Sequence, residues 1–570
     1  MARVFESTIQ DIVYNVDVGI GLRLVKSGLY LLTLLSIIVL YTATQFRGLK
    51  EAEAMDLAQV GLSVMEQGRF TTKQIRPASM WYLIEHSKSK DPQLREHPDI
   101  VNPPVYPLLL AGGFKMFRNA FSLSTAPVRV FPPEQWVVVP LGHLFSILTG
   151  LLVFLIARTL FDNRVALLGI TLFFLSNTVW ATSISGTAFS VVAFWMTAAW
   201  YCALIASNRY QAGGRALGWI IATALAGLFC ALGFLTRYGS VALLPGIALL
   251  LGLSLRKHSG KVLLLFFGVF VLTIAPWLVR NLNVSGGLFG LAPYLALNGA
   301  DPAVNNLFER TLAQELTTAG VLSQLRPKLM LGLADLYSNQ LPTIGDGILV
   351  GFFFTTFFYS FARDSVRRLR WCLALGVLVT LPVAALYGQP SYRLLYLFLP
   401  FVVIYAVAFF YILLDRMQLR IPILRMGVTG AFLGLGAIPL ILTLLPPRTD
   451  LPYPPYYPPY ITRVSHMLNP DELMCTDMPW ATAWYGNRAS LLLPATLDEF
   501  YEVNDYMRRV SGLYFTTLTR DREYVRTLVT GPYRTWFPIL EGRIPSDFPL
   551  NKGFQLGNLD QLFLTDRQRW

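Results

Sequence analysis

Three acidic residues open a short amphipathic stretch, FRGLKEAEAMDLAQVGLSVMEQGRF: Glu51, Glu53 and Asp56. Glu53 and Asp56, three apart, project from one side of a helix. A carboxylate held at a membrane boundary can take the proton of an acceptor hydroxyl beside a lipid-borne leaving group. Acidic side chains are also favoured near a helix N-terminus whatever their function, so a solvated cap is the competing reading. Downstream, His97, Asn102 and Tyr106 stand where prolines steer the chain toward an apolar, re-entrant stretch, Leu108 to Phe117. Backbone fixed in that way is tolerated near a bilayer only under protein or a watery cavity, which makes these three candidates for a polar pocket. An ordinary surface histidine is the alternative for His97. Arg237 in LGFLTRYGS, Arg280 in APWLVRNLNVSGG and Arg393 in GQPSYRLLYLFLP sit at the ends of apolar runs. Such cations are costly unless paired, and a phosphate suits them through bidentate hydrogen bonds; snorkelling to lipid headgroups is the alternative. Their neighbours Tyr238, Asn281 and Tyr392 complete the candidate pocket.

The elements that must position these residues are membrane helices. Hydrophobic residues make up 54% of the chain and charged residues 14%, and the mean hydropathy is +0.48, outside the soluble range. Apolar runs recur near 27–45, 136–157, 165–181, 188–206, 216–235, 238–254, 262–279, 346–361, 371–387, 394–414 and 426–445. Each is long enough to cross ~30 Å of hydrocarbon, so the chain reads as an all-α polytopic membrane protein with about eleven transmembrane helices. The first run follows a polar N-terminus carrying Glu6, Asp11 and Asp17 and lacks a small-residue cleavage site, so it reads as a retained span.

Orientation follows from positive charge in short loops, which stays cytoplasmic. Arg158 and Arg164, Arg209 and Arg215, Arg256, Lys257 and Lys261, the Arg363 to Arg370 cluster, and Arg416, Arg420 and Arg425 fall in every second connection. Arg3, Arg23 and Lys26 put the N-terminus on the same side. The long loops 46–135 and 280–345 and the tail after 446 are then expected outside the cytoplasm, sharing one face. The same dispersion accounts for the net charge of +13 without a concentrated basic face for nucleic acid. Cys202, Cys230, Cys372 and Cys475 form neither a disulfide framework nor a metal-ligand cluster; no metal ligand is nominated, and use of a divalent metal stays open.

A membrane domain is thus expected over 1–445. PPRTDLPYPPYYPPY within 446–460 cannot continue a helix and reads as an extended linker. Beyond it, over 461–570, ELMCTDMP, SLLLP and GLYFTTLT read as strands, with WATAWYG and DREYVRTLVTG as helices. That is a small extracytoplasmic α/β domain, a lid or acceptor-docking module or a structural support.

The whole arrangement resembles the bacterial GT-C membrane glycosyltransferases related to protein O-mannosyltransferases and lipid A aminoarabinose transferases, over roughly residues 30–450. The resemblance rests on the acidic helix ending in MEQGRF and on NPPVYPLLL, where relatives often have a Lys-Pro-Pro segment. It rests further on LFDNRVALLGITLFFLSNTVWATS, GFLTRYGSVALLPG, PWLVRN before a glycine-containing loop, and SYRLLYLFLP. It implies an enzyme that takes a sugar from a polyprenyl-phosphate carrier and passes it, with inversion, to a protein, lipid or glycan acceptor on the non-cytoplasmic face. A bacterial inner membrane is the implied location. Counting back from the helix-ending glycine, the family's catalytic aspartate falls on Glu53. The sequence departs there, with Ala54 following where many relatives show Asp-Glu, and Asp56 remains a competitor for the base. A second acidic residue that some relatives place after the third span is absent, since ATSISGTAFS offers only Ser183, Ser185 and Thr187. Arg237, Arg280 and Arg393 would hold the leaving phosphate. A transporter or flippase of lipid-linked intermediates is the alternative, although no internal repeat of the kind such proteins show is visible. A membrane-anchored scaffold would leave the acidic helix without a purpose.

Overall fold

Apolar segments in hydrocarbon must satisfy their backbone groups internally, and helices do so within one segment. The computed structural model describes residues 20–118, 131–299, 306–314, 316–388, 391–445, 458–556 and 561–569. Among these, eight helices are long and apolar enough to cross a membrane: Leu24–Gln45, Glu134–Leu160, Phe189–Gln211, Ala216–Thr236, Arg256–Ser285, Asp364–Tyr387, Ser391–Arg416 and Pro422–Leu444. Two bent pairs raise the number to ten if each pair is one span: Asn163–Leu175 with Asn177–Ile184 at 53°, and Thr318–Asp346 with Ile348–Phe358 at 101°. The remaining run, 238–254, forms the shorter apolar helical stretch Tyr238–Ser254. Phe189–Gln211 and Ser391–Arg416, each 78% buried, form the centre, whereas Leu24–Gln45, 11% buried, lies at the periphery with Leu24, Leu31 and Val39 outward.

The sharper bend has a local cause. Gly345, Asp346 and Gly347 all have positive φ, a conformation glycine adopts freely and other residues rarely. Asp346 then caps the break in the other pair, its carboxylate accepting from the Asn177 backbone N–H at 3.1 Å and the Thr178 hydroxyl at 3.2 Å. The loop expected over 280–345 is therefore partly helical. The helix Ser259–Ser285 runs past 280, and Thr318–Asp335 is helical despite Pro327 and its charged residues, which disguise it in the sequence.

The acidic stretch is the helix Ala52–Gln67, stopped at Gly68, whose φ of 68° lets its N–H reach the Val64 carbonyl at 2.9 Å. Gly61 lets this helix approach the helix Val105–Met116 so closely that a Cβ would lie 2.9 Å from that of Leu110.

Of the linker expected over 446–460, residues 446–457 lie outside the described residues, and the helix Pro458–His466 begins directly after them. The C-terminal region carries a six-stranded sheet in the order β1-β3-β2-β4-β6-β5. Its strands are β1 (Gln74–Ile75), β2 (Leu473–Thr476), β3 (Ser490–Leu492), β4 (Val510–Phe515), β5 (Lys552–Leu556) and β6 (Gln561–Thr565). The first four run parallel, and β6 and β5 close one edge antiparallel. The edge strand β1 comes from the first long loop, some four hundred residues earlier in the chain. It pairs Gln74 with Ser490 and Ile75 with Leu491, so the α/β unit is completed by residues of the membrane domain.

Candidate active site

A cavity of about 720 Å³ opens where the N-terminus of the helix Ala52–Gln67 meets the ends of Ala216–Thr236 and Asp364–Tyr387 and the turn at Ser391–Arg393. Phe234, Val241, Phe289, Val383 and Leu394 make part of its lining apolar, while Asp56, Gln74, Arg76, Asn102, Asn306 and Glu309 make another part polar. A ligand with an apolar tail and a polar head matches such a wall.

Helix Ala216–Thr236 stops at Arg237, whose extended backbone (φ −156°, ψ 116°) marks the turn into the following 3-10 segment. Its guanidinium pairs with Glu53, donates to Ser391 Oγ at 3.2 Å and lies 4.3 Å over the Phe189 ring. Arg393 pairs in the same way with Glu51. Both carboxylates belong to the start of one helix, where the dipole favours negative charge.

Asp56 has a different environment. Its Oδ2 accepts from Arg76 at 2.8 Å and Asn102 Nδ2 at 3.0 Å, and its Oδ1 accepts from Gln59 Nε2 at 3.0 Å. Turned to satisfy its neighbours, the Gln74 amide adds a fourth donor at 3.2 Å. Arg76, directly before the helix Pro77–His86, also lies 3.4 Å from Glu309. Burial on its own would lower the Arg76 pKa, but Asp56 and Glu309 outweigh it and hold the guanidinium above its ordinary value. Burial raises the Glu309 carboxyl, with Arg76 opposing. Burial also raises that of Asp99, reinforced by the charge of Asp56.

Of the residues nominated from the sequence, Glu53, Asp56, Asn102, Arg237, Tyr238 and Arg393 line the cavity. The others lie outside its lining. Arg280 donates to the carbonyls of Asp99 at 2.6 Å and Phe70 at 3.1 Å and stacks 4.8 Å from the Trp277 ring. It ties the first loop to the helix Ser259–Ser285, and Asn281 beside it donates to the Leu288 carbonyl. His97 is buried, not a surface residue; burial pushes its pKa down to about 4. In the neutral form Nδ1–H donates to the Pro92 carbonyl at 2.8 Å, leaving Nε2 to accept from the Ser79 hydroxyl at 2.7 Å. Tyr106 donates to the Gly186 carbonyl at 2.8 Å, and Tyr392 is buried in the core.

Glu51, Gln74, Arg76, Asn306, Glu309, Ser391 and Trp480 line the cavity without having been nominated. Glu51 stands two residues from Glu53; Arg76, before the helix Pro77–His86, and Glu309, in the short helix Leu307–Arg310, lie in segments without a sequence pattern. The C-terminal region holds the second of those segments in place. Arg310 donates through Nε to the Leu493 carbonyl and through a terminal nitrogen to that of Pro494, both at 2.9 Å, and lies 3.9 Å over the Tyr533 ring. Its neighbour Glu309 is thereby aimed at Arg76. Trp480 adds an aromatic wall from the helix Pro479–Gly486, while Trp484 on that helix donates to Glu134 at 2.8 Å. Among the described residues no group of three or more His, Cys, Asp or Glu side chains is arranged to hold a metal ion. The carboxylates of the cavity are instead faced by guanidinium groups, a donor set ill matched to a divalent cation.

The dolichyl-phosphate-mannose-protein mannosyltransferase family matches residues 101–279. The undecaprenyl phosphate-alpha-4-amino-4-deoxy-L-arabinose arabinosyl transferase of Pectobacterium carotovorum is 34% identical over 159 residues, covering 25% of this chain and 27% of that protein. The matched stretch thus spans about a quarter of the length of the curated relatives. The oligosaccharyltransferase of Archaeoglobus fulgidus, crystallised in complex with Zn and sulfate, superposes with a TM-score of 0.51 at 14% identity over 85% of this chain and 68% of that one. ArnT from Cupriavidus metallidurans in the apo state aligns over 95% of this chain and 98% of that one, at 11% identity and a TM-score of 0.44. In its segment 101–279 and in its polytopic fold the chain is thus similar to membrane glycosyltransferases of the GT-C type.

Proposed function

We propose that the chain transfers a sugar from a polyprenyl-phosphate donor to a hydroxyl acceptor on the non-cytoplasmic face of a bacterial inner membrane. One observation carries this reading: a carboxylate, Glu53, and two guanidinium groups, Arg237 and Arg393, line one cavity that is apolar along one part and polar along another. The apolar residues suit the first isoprene units, the arginines the phosphate, and Gln74, Asn102 and Glu309 the hydroxyls of a sugar. Glu53 accepts the proton of the acceptor hydroxyl as its oxygen bonds to the anomeric carbon. The bond from that carbon to the phosphate oxygen breaks, and the polyprenyl phosphate leaves with its charge held by Arg237 and Arg393. A single displacement of this kind inverts the anomeric centre. General-base assistance contributes ~10²- to 10⁴-fold, and stabilising charge on the leaving group is commonly the larger effect.

Basic residues in alternate short loops support a cytoplasmic N-terminus, with the cavity and the C-terminal region on the opposite side in this reading. The test is transfer by the purified protein in lipid nanodiscs, supplied with undecaprenyl-phosphate-linked sugars and with lipid, glycan and peptide acceptors. Product is expected with wild type and lost in Glu53→Gln; equal turnover by the two would end this assignment.

A further inference from the structure

Both arginines assigned to the donor phosphate are already engaged by carboxylates from one short segment. Arg393 holds Glu51 and Arg237 holds Glu53. The charged side chains lining the cavity balance, Lys50, Arg76, Arg237 and Arg393 against Glu51, Glu53, Asp56 and Glu309. An arriving phosphodiester therefore competes with internal anions for the same guanidinium forks. Arg393 also keeps one terminal nitrogen buried without a hydrogen-bond partner among the described residues, a donor that a phosphate oxygen would complete.

We propose, on the basis of the donor reading above, that Glu51 and Glu53 are built-in counter-ions that the donor phosphate displaces from Arg393 and Arg237. Before the donor arrives, Glu53 is held by Arg237 and is not free to accept a proton. Phosphate binding releases it toward the acceptor hydroxyl, so donor binding comes first and the base is freed only when there is a sugar to transfer. Glu51 takes no part in the bond changes; it sets how tightly phosphate is held.

The test is the affinity of full-length protein in nanodiscs for undecaprenyl phosphate, in wild type, Glu51→Gln and Arg393→Met. Removing the competing charge in Glu51→Gln is expected to tighten binding by about two- to fivefold, the range for a partly exposed ion pair, whereas Arg393→Met weakens it. A merely structural ion pair would give unchanged or weaker binding in Glu51→Gln, and that result overturns the proposal. Misfolding is not expected to confuse the outcome, because Glu51 occupies the helix N-cap without a side-chain capping bond. Should its unfolding midpoint fall nevertheless, wild-type initial-rate kinetics decide: ordered addition with donor first supports the proposal, and random addition overturns it. Absence of any wild-type binding to undecaprenyl phosphate would instead remove the donor reading, and this inference with it.

Discussion

Glu53 and Asp56 lie one helical turn apart on the same cavity, yet Glu53 has a single charged partner, Arg237, while Asp56 is enclosed by Arg76, Asn102 and Gln59. A base must be able to exchange its partner for a substrate hydroxyl. Glu53, with 20% of its side chain exposed, can do so; Asp56, with 4%, is a strut. Glu53→Gln should therefore lower kcat/KM by ~10²- to 10⁴-fold while undecaprenyl phosphate still binds. Single-turnover rates and lipid-binding isotherms on the same preparation check it.

Asp56→Asn should act mainly on stability. It leaves the buried Arg76 facing Glu309 alone, and breaking a buried pair by removing one partner costs ~3–5 kcal/mol. A lowered unfolding midpoint in detergent is the expected result, with any loss of turnover following loss of folded protein.

The three arginines should separate into two groups. Arg237→Met and Arg393→Met are expected to weaken polyprenyl-phosphate binding, each by about tenfold or more, since hydrogen bonds to charged groups are worth ~1.5–3 kcal/mol. Arg280→Met should leave that affinity within a few-fold and lower the unfolding midpoint, because it releases the Asp99 and Phe70 carbonyls. Affinity and midpoint measured side by side distinguish the groups.

Arg310→Met tests whether the C-terminal region shapes the cavity. The variant loses two hydrogen bonds to Leu493 and Pro494 and frees Glu309 from its place opposite Arg76. Turnover should fall tenfold or more, at about 1.4 kcal/mol per factor of ten, with lipid-phosphate affinity unchanged, since Arg237 and Arg393 sit on other segments.

His97 gives a pH dependence. Burial takes its pKa from 6.5 to about 4, so the unfolded chain binds the proton first as the pH falls. The stability it contributes is complete above pH 6.5 and is lost as the pH drops toward 4, an effect of up to about 3 kcal/mol. The difference in unfolding midpoint between wild type and His97→Gln should shrink across that window. A constant difference would show that His97 is not held neutral.

Much of the membrane domain was legible because a helix in hydrocarbon needs a long apolar run, and such runs are visible one by one in the sequence. The break between Leu175 and Asn177 was not, since it is capped by Asp346 reaching across to Asn177. The strands β2, β3 and β4 were legible as short, mostly apolar runs, but β1 was not: two residues in a polar loop have no pattern, and they become a strand only by pairing with Ser490 and Leu491.

From the sequence alone followed the class of molecule, most of its span positions, the acidic helix with Gly68 at its end, and the arginines at the ends of apolar runs. These follow from composition and spacing within single segments. Tertiary structure decided which charges meet: that Arg237 and Arg393 reach the cavity while Arg280 grips backbone carbonyls, and that Arg76 and Glu309 join Asp56. Ion pairing acts over a few ångströms between residues from 20 to 342 positions apart, a separation that no local pattern along the chain encodes.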